Sequence, residues 1–267
     1  MRGRLWTIKA AAHQLKETLR LRTEPFGVTF LKKVANLPEG TRRPSQIFGK
    51  KVTICQGVTM ARIYGWAVGL TRDDLLCIPG MLAFGFVPVA DPIMELGQLF
   101  CEVGFHPAVG PALKEVEALP RFEPGEVAAI YLRPLEKLAL DPEVVVVCGN
   151  PAQLMRLIQA VTFSVGNRVA GDFSGKVECS SYLIGPYRDR EVRVVIPGQG
   201  DRTFSMTQDE ELVLSMPAGV LEGVLVGLKD AAQKIGGCYP ITVYQNFSPA
   251  FPPPYRELAQ KWGIIDG

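Results

Sequence analysis

The chain has 267 residues, 47% of them hydrophobic and 21% charged, a composition typical of a globular protein with a substantial core. Its 29 basic and 27 acidic residues nearly cancel and form no long basic run, which argues against nucleic acid as a partner. No stretch approaches the roughly eighteen apolar residues of a membrane-spanning helix, and the first residues do not resemble a secretion signal. We therefore expect a cytoplasmic protein with no membrane partner.

The six cysteines are scattered through the chain, and no two of them are separated by only two residues. This spacing excludes the compact zinc knuckle that is built on paired cysteines. Scattered cysteines in apolar contexts, in a chain without a secretion signal, are expected to be reduced thiols and not a disulfide framework.

The first half of the chain is predicted to be mainly helical. Apolar residues recur at helical spacing in residues 5–21, and this helix should end before Pro25. Thr53 is a suitable N-cap for a helix over residues 54–64, which Gly65 could end. The other elements predicted here are a strand at 26–31, a loop at 33–50, a short strand at 66–70, and helical segments at 81–86, 94–103 and 111–119.

The second half is predicted to supply most of the sheet. Residues 143–148 contain four consecutive valines, so both faces of that strand must be covered. Asn150 follows as the cap of a helix that begins at Pro151. The other elements predicted here are strands at 126–132, 191–196 and 211–216, a short helix opening at 178, a turn at 198–202, a helix at 218–235 and a last helical turn or two at 257–262.

These elements predict an α+β or mixed α/β fold, a compact layered structure with a mixed sheet and flanking helices. Residues 1–267 are expected to form a single compact domain, either undivided or made of two interlocked halves. Pro120, Pro124 and Gly125 give the best boundary signal. That signal would separate an N-terminal α+β half, 1–120, from a C-terminal α/β half, 121–267.

Three cysteines are candidate ligand-binding residues. Cys55 and Cys77 each begin an apolar segment rich in small residues, and Cys179 follows Glu178 in a polar context. A helix N-terminus lowers the pKa of a thiol and favours the reactive thiolate. The alternative is that these cysteines are buried small hydrophobes, which is the ordinary role of a free cysteine.

The segment Gly198–Arg202 is a second candidate. Read as a turn, it would present backbone N–H groups near Gly200 and the guanidinium of Arg202 to a carboxylate or phosphate. A hairpin-like turn with no ligand has the same sequence pattern.

Several motifs together resemble a known family over most of the chain. They are the helix start at Cys55, Asp74-Leu-Leu-Cys-Ile-Pro-Gly80, Asn150-Pro-Ala-Gln-Leu-Met155, Glu178-Cys179, Gly200-Asp-Arg202 and Asp209-Glu-Glu-Leu212. The chain resembles the uncharacterised archaeal and bacterial family called domain of unknown function 169. Because that family has no established activity, the resemblance implies a shared fold and little more.

The resemblance also implies a cysteine cluster. Many members look to have a fourth cysteine just before the Gly-Asn/Asp-Arg turn, and four thiolates could hold an iron–sulfur cluster or another soft metal. Here Pro197–Arg202 contains no thiol, so a fourth ligand would have to come from elsewhere, such as Cys101 or Cys148. We therefore expect a metal-free site in which Cys55, Cys77 and Cys179 share one cavity wall and Arg202 lies at the rim.

Three functional hypotheses remain open. The first is a cytoplasmic protein, enzyme or not, that binds a small molecule or anion between the Cys55–Gly80 and Cys179–Arg202 segments. The second is a metal or iron–sulfur protein that uses the three cysteines and an unidentified fourth ligand. The third is an assembly protein or homo-oligomer that buries apolar helices, with Gly219, Gly223 and Gly227 permitting close helix approach.

Overall fold

A computed structural model describes residues 2–166, 168–235, 238–241, 245, 247 and 251–265. The strands are β1 (Phe26–Leu31), β2 (Val68–Leu70), β3 (Ala129–Pro134), β4 (Val144–Gly149), β5 (Ala170–Asp172), β6 (Arg193–Val195) and β7 (Leu212–Pro217). The helices are α1 (Arg2–Leu19), α2 (Pro44–Phe48), α3 (Ile54–Arg62), α4 (Ile78–Ala83), α5 (Pro92–Glu102), α6 (Val109–Ala118), α7 (Pro151–Val165), α8 (Glu178–Leu183), α9 (Gly185–Asp189), α10 (Gln199–Phe204), α11 (Leu221–Ile235) and α12 (Pro253–Lys261).

Within the described residues, the strands form one seven-stranded mixed sheet in the order β2-β3-β1-β4-β7-β6-β5. Neighbouring strands are antiparallel except β5 and β6, which run parallel. Strand β3 lies between β2 and β1, so a strand from the predicted second half is inserted between two strands of the first. The division into two halves stays a prediction, while the α+β class is confirmed.

Helices cover both faces of the sheet because successive side chains of a strand point to opposite faces. Val144 and Val146 of β4 belong to one apolar cluster, together with side chains of α3, α4, α5, α6 and α8. Val145 and Val147 belong to the other cluster, together with α1, α7 and α11. The valine run of β4 is therefore buried on both sides, as its sequence predicts.

Local capping explains where α3 and α7 begin. Thr53 Oγ1 accepts a hydrogen bond from the Gln56 amide while Gln56 Oε1 accepts one from the Thr53 amide, which satisfies two N–H groups at the start of α3. Asn150 and Gln153 do the same for α7. The side-chain amide of Gln153 also donates a hydrogen bond to the carbonyl of Leu19, which connects α7 to the end of α1.

The structure corrects two sequence predictions. Residues 44–48, predicted as loop, form α2, and residues 198–202, predicted as a turn, run into α10, which begins at Gln199. Gly198 supports this start because its own amide donates to Asp201 Oδ2 at 3.1 Å, closing the first turn of α10. Within the described ranges, no helix combines the length and apolar content needed to cross a membrane.

Of the three glycines spaced four residues apart, only Gly227 makes a close helix contact. A Cβ atom placed on Gly227 would lie 2.3 Å from the carbonyl oxygen of Ala160 in α7, while one on Gly219 or Gly223 would meet no atom within 4 Å. Gly227 therefore serves packing between α11 and α7 inside the chain.

Candidate functional site

A cavity of about 600 Å³ lies between two parts of the chain that the sequence analysis had singled out. Its lining residues belong to the stretches 51–56, 76–79, 176–179, 199–201 and 203–204, together with Phe105. Cys55, Cys77 and Cys179 all line this cavity, which we call the thiol pocket.

Cys55 lies in the first turn of α3, next to the helix cap. Its Sγ is 3.0 Å from Oγ1 of Thr53. Burial, together with the nearby carboxyl group of Asp201, raises the pKa of the Cys55 thiol to about 12. The expectation of a lowered pKa at this helix start is wrong, because loss of water around the sulfur outweighs the hydrogen bond between Cys55 and Thr53.

Cys77 is the N-cap of α4, and Met81 donates its amide to the Cys77 carbonyl at 2.8 Å. A Cβ atom on Gly80 would lie 3.2 Å from the Cys77 sulfur and 2.9 Å from Cδ1 of Ile54, so this position favours glycine. Burial raises the pKa of Cys77, partly offset by a hydrogen bond from the Gly80 amide. Cys77 is therefore also a thiol and not a thiolate.

Cys179 lies in α8, whose start is held by a buried carboxylate. Oε1 of Glu178 accepts hydrogen bonds from the amides of Ser174 and Gly175, both at 2.6 Å. The pKa of Cys179 is well above its usual value, first because of burial and then because of Cys77, Asp201 and Cys55. The three thiols affect one another's pKa values because they line the same cavity.

Asp201 is a buried cavity residue that the sequence analysis missed. Its Oδ1 accepts a 2.9 Å hydrogen bond from the hydroxyl of Tyr182, which is also fully buried. Burial raises the pKa of Asp201, although the bonds from Tyr182 and the Gly198 amide act in the opposite direction. The sequence signal was present: an acidic residue three positions after Gly198 is typical of the first turn of a helix.

Gly200 and Arg202 have separate locations. Gly200 lines the thiol pocket, and a Cβ placed on it would lie 4.0 Å from the Cys55 sulfur. Arg202 is not among the lining residues. Its Nη1 donates to the carbonyl of Gln208 at 2.6 Å and lies 3.9 Å from Asp209, so its charge is directed away from the cavity.

The mouth of the thiol pocket carries an ion-pair group that the sequence did not reveal. Lys176 lines the cavity, and its Nζ is 2.8 Å from Oε2 of Glu115 in α6. His106 contacts the same carboxylate oxygen. Lys176 and His106 hold the pKa of Glu115 below its usual value despite burial, so the Glu115 carboxylate is charged at neutral pH. Phe105, next to His106, is the aromatic lining residue on this side.

A second polar cluster lies behind Asp201. The guanidinium of Arg62 is 2% exposed and bonds both carboxylate oxygens of Glu211, at 2.6 and 3.0 Å. A void of about 10 Å³ separates this pair from Asp201 and Tyr182. That volume is close to the smallest that holds a water molecule. Cys148 also borders the void.

Comparison with known protein families decides the identity of the chain. A family model described as Uncharacterised ArCR, domain of unknown function 169 (DUF169), matches residues 14–227. The chain belongs to the DUF169 family. A relative from Methanocaldococcus jannaschii, named Uncharacterized protein MJ0308, is 26% identical over 227 residues, covering 85% of this chain and 95% of the relative. The comparison with solved structures found no match.

The described part of this DUF169 protein contains no ligand set for the metal or iron–sulfur hypothesis. Among the residues that the structure describes, no group of three His, Cys, Asp or Glu side chains is arranged to hold a metal ion. Neither Cys101 nor Cys148, the two suggested fourth ligands, lines the thiol pocket. Within the described residues, the arrangement therefore does not fit an iron–sulfur cluster or another metal centre.

Proposed function

We propose that this DUF169 protein binds a small molecule in the thiol pocket. The observation that carries the proposal is the cavity itself, since about 600 Å³ lies within the usual range of small-molecule sites. Its walls come from five separate stretches of the chain, so the fold as a whole creates the space. We also propose a cytoplasmic location, because all six cysteines are free thiols and thiols stay reduced in the cytoplasm.

The chemistry of the wall favours binding of an apolar group. The three thiols are protonated at neutral pH, and a protonated thiol behaves as a small hydrophobe with a weak S–H donor. Phe105 and Phe204 add aromatic surface to the same wall. Sulfur and aromatic groups together offer polarisable contacts to an apolar or aromatic ligand.

Gly200 offers a direct test. A side chain at this position would point towards Cys55 across open space, so Gly200→Leu should fill part of the cavity. The replacement also removes a glycine from α10, which favours the helix. The matched control is Gly223→Leu on α11, where a Cβ meets no atom within 4 Å.

The measurement uses the uncharged fluorophore N-phenyl-1-naphthylamine, whose emission rises on entering an apolar site. We expect the probe to bind saturably to the wild-type protein and to Gly223→Leu. Its dissociation constant for Gly200→Leu should be about tenfold higher or more, because the lost buried contacts are worth at least ~1.4 kcal/mol of binding free energy. Equal binding by all three proteins would contradict the proposal.

A further inference from the structure

We propose that the thiol pocket is specific for molecules with an apolar body and an anionic group, and that Lys51 binds the anionic group. This proposal rests on the proposed function and names its ligand class. It follows from the partners of the charged side chains that line the cavity. Those residues are Lys51, Lys176, Glu178 and Asp201.

Three of these four side chains are already engaged. Lys176 pairs with Glu115, Glu178 accepts the amides of Ser174 and Gly175, and Asp201 accepts bonds from Tyr182 and Gly198. The last two carboxyl groups are also buried, so neither is placed to meet a ligand at the entrance.

Lys51 differs from the other three. It is exposed yet lines the cavity, so it lies at the mouth. Among the described residues its ammonium group has no hydrogen bond or ion pair. The backbone fixes its location, since the amide of Val52 donates to the Asp74 carbonyl at 2.8 Å and the amide of Leu76 donates to the Val52 carbonyl at 3.0 Å. Of the four charged lining residues in the described part of the chain, Lys51 is therefore the one whose charge has no partner.

The mouth also exposes apolar side chains beside this charge. Leu76 and Phe204 line the cavity and are 65% and 55% exposed. An entering molecule would bury its apolar part against them and leave an anion at the edge, within reach of a flexible lysine. A carboxylate, sulfonate or phosphate would suit this lysine, whereas a cation would meet an unfavourable charge.

The test compares two probes that differ by one anionic group. They are 8-anilinonaphthalene-1-sulfonate and its uncharged analogue N-phenyl-1-naphthylamine. The quantity compared is the ratio of their dissociation constants in wild type, Lys51→Met, Lys51→Arg and Lys50→Met. Lys50 is the matched control because it is also exposed but does not line the cavity.

We expect Lys51→Met to lower the preference for the sulfonate about two- to fivefold, the range for a partly exposed ion pair. Lys51→Arg should keep the preference, and Lys50→Met should leave it unchanged. Salt should weaken sulfonate binding in wild type more than in Lys51→Met.

Each result has a separate meaning. If the uncharged probe binds and Gly200→Leu blocks it, but the ratio is the same in Lys51→Met as in wild type, the ligand class is wrong and the proposed function stands. An equal loss in Lys50→Met and Lys51→Met would mean a general surface charge effect, and would also overturn the role of Lys51. If the uncharged probe binds equally to Gly200→Leu and wild type, the proposed function itself fails.

Discussion

Arg62 of α3 and Glu211, just before β7, form a two-point ion pair in which the guanidinium is almost completely buried. The pair joins two segments 149 positions apart in the sequence. A buried pair of this kind is costly to break, because the remaining charge is left without a partner in a poorly hydrated site.

We therefore expect Arg62→Met to lower the free energy of unfolding by about 3–5 kcal/mol. Urea denaturation measures the change. Adding Glu211→Gln to Arg62→Met should recover part of the loss, because the uncompensated carboxylate is removed while an acceptor for the Gln208 amide is kept. A double variant that is no more stable than Arg62→Met would contradict this explanation.

Glu211 also gives the pair a pH dependence. Its pKa is lowered by Arg62 although burial acts in the opposite direction. A carboxyl group with a lowered folded-state pKa contributes stability above its unfolded value, about 4.3, and this contribution is lost as the pH falls. The stability difference between wild type and Glu211→Gln, measured at several pH values, should therefore shrink below about pH 4.

The two glycines of α11 should respond to alanine in opposite directions. Gly227→Ala would place a Cβ 2.3 Å from the Ala160 carbonyl oxygen, so the helices must separate, at a cost of about 1–3 kcal/mol. Gly223→Ala meets no atom within 4 Å and should stabilise the helix by about 0.5–1 kcal/mol. Thermal unfolding of the two variants gives the comparison, and two shifts of the same sign would be inconsistent with the packing of α11 on α7.

The free energy of unfolding should fall at alkaline pH because the buried Cys55 thiol resists ionisation in the folded protein. The folded-state pKa of this thiol is about 12, raised by burial from an ordinary value of 9.0. A group with a raised folded-state pKa contributes stability fully below its unfolded pKa and loses that contribution as the pH rises through the folded value. The loss should therefore begin near pH 9, and Cys55→Ala should show a shallower decline in urea denaturation between pH 8 and 10. Parallel curves would refute the pKa assignment.

Thiol labelling should separate exposed from buried cysteines. Cys238 is exposed, whereas Cys55, Cys148 and Cys179 are buried. With 5,5′-dithiobis(2-nitrobenzoic acid) at pH 8, Cys238 should react first, and Cys238→Ser should remove that fastest phase. The three buried thiols should react only as the protein opens, because labelling needs an accessible thiolate. Fast reaction of Cys55 in the folded protein would show that the pocket thiols are not protected.

The sequence was informative wherever neighbouring residues determine the structure. The strand at Phe26–Leu31 has the predicted bounds, and α7 begins at Pro151 after its Asn150 cap as predicted. Capping and hydrophobic periodicity depend on residues a few positions apart, so the sequence contains that information directly. The segments that border the thiol pocket could be named for the same reason, since cysteines and glycines at segment starts are visible in the sequence.

Only the tertiary structure decided the chemistry of the site. Because residues 198–202 run into a helix and not a turn, Gly200 and Arg202 are about 200° apart around its axis, so Gly200 faces the cavity while Arg202 faces Gln208. The direction of the thiol pKa shifts depends on burial by segments far apart in the sequence. Asp201 with Tyr182, Arg62 with Glu211 and Lys176 with Glu115 meet only when the sheet brings distant segments together, and no local pattern specifies such pairs.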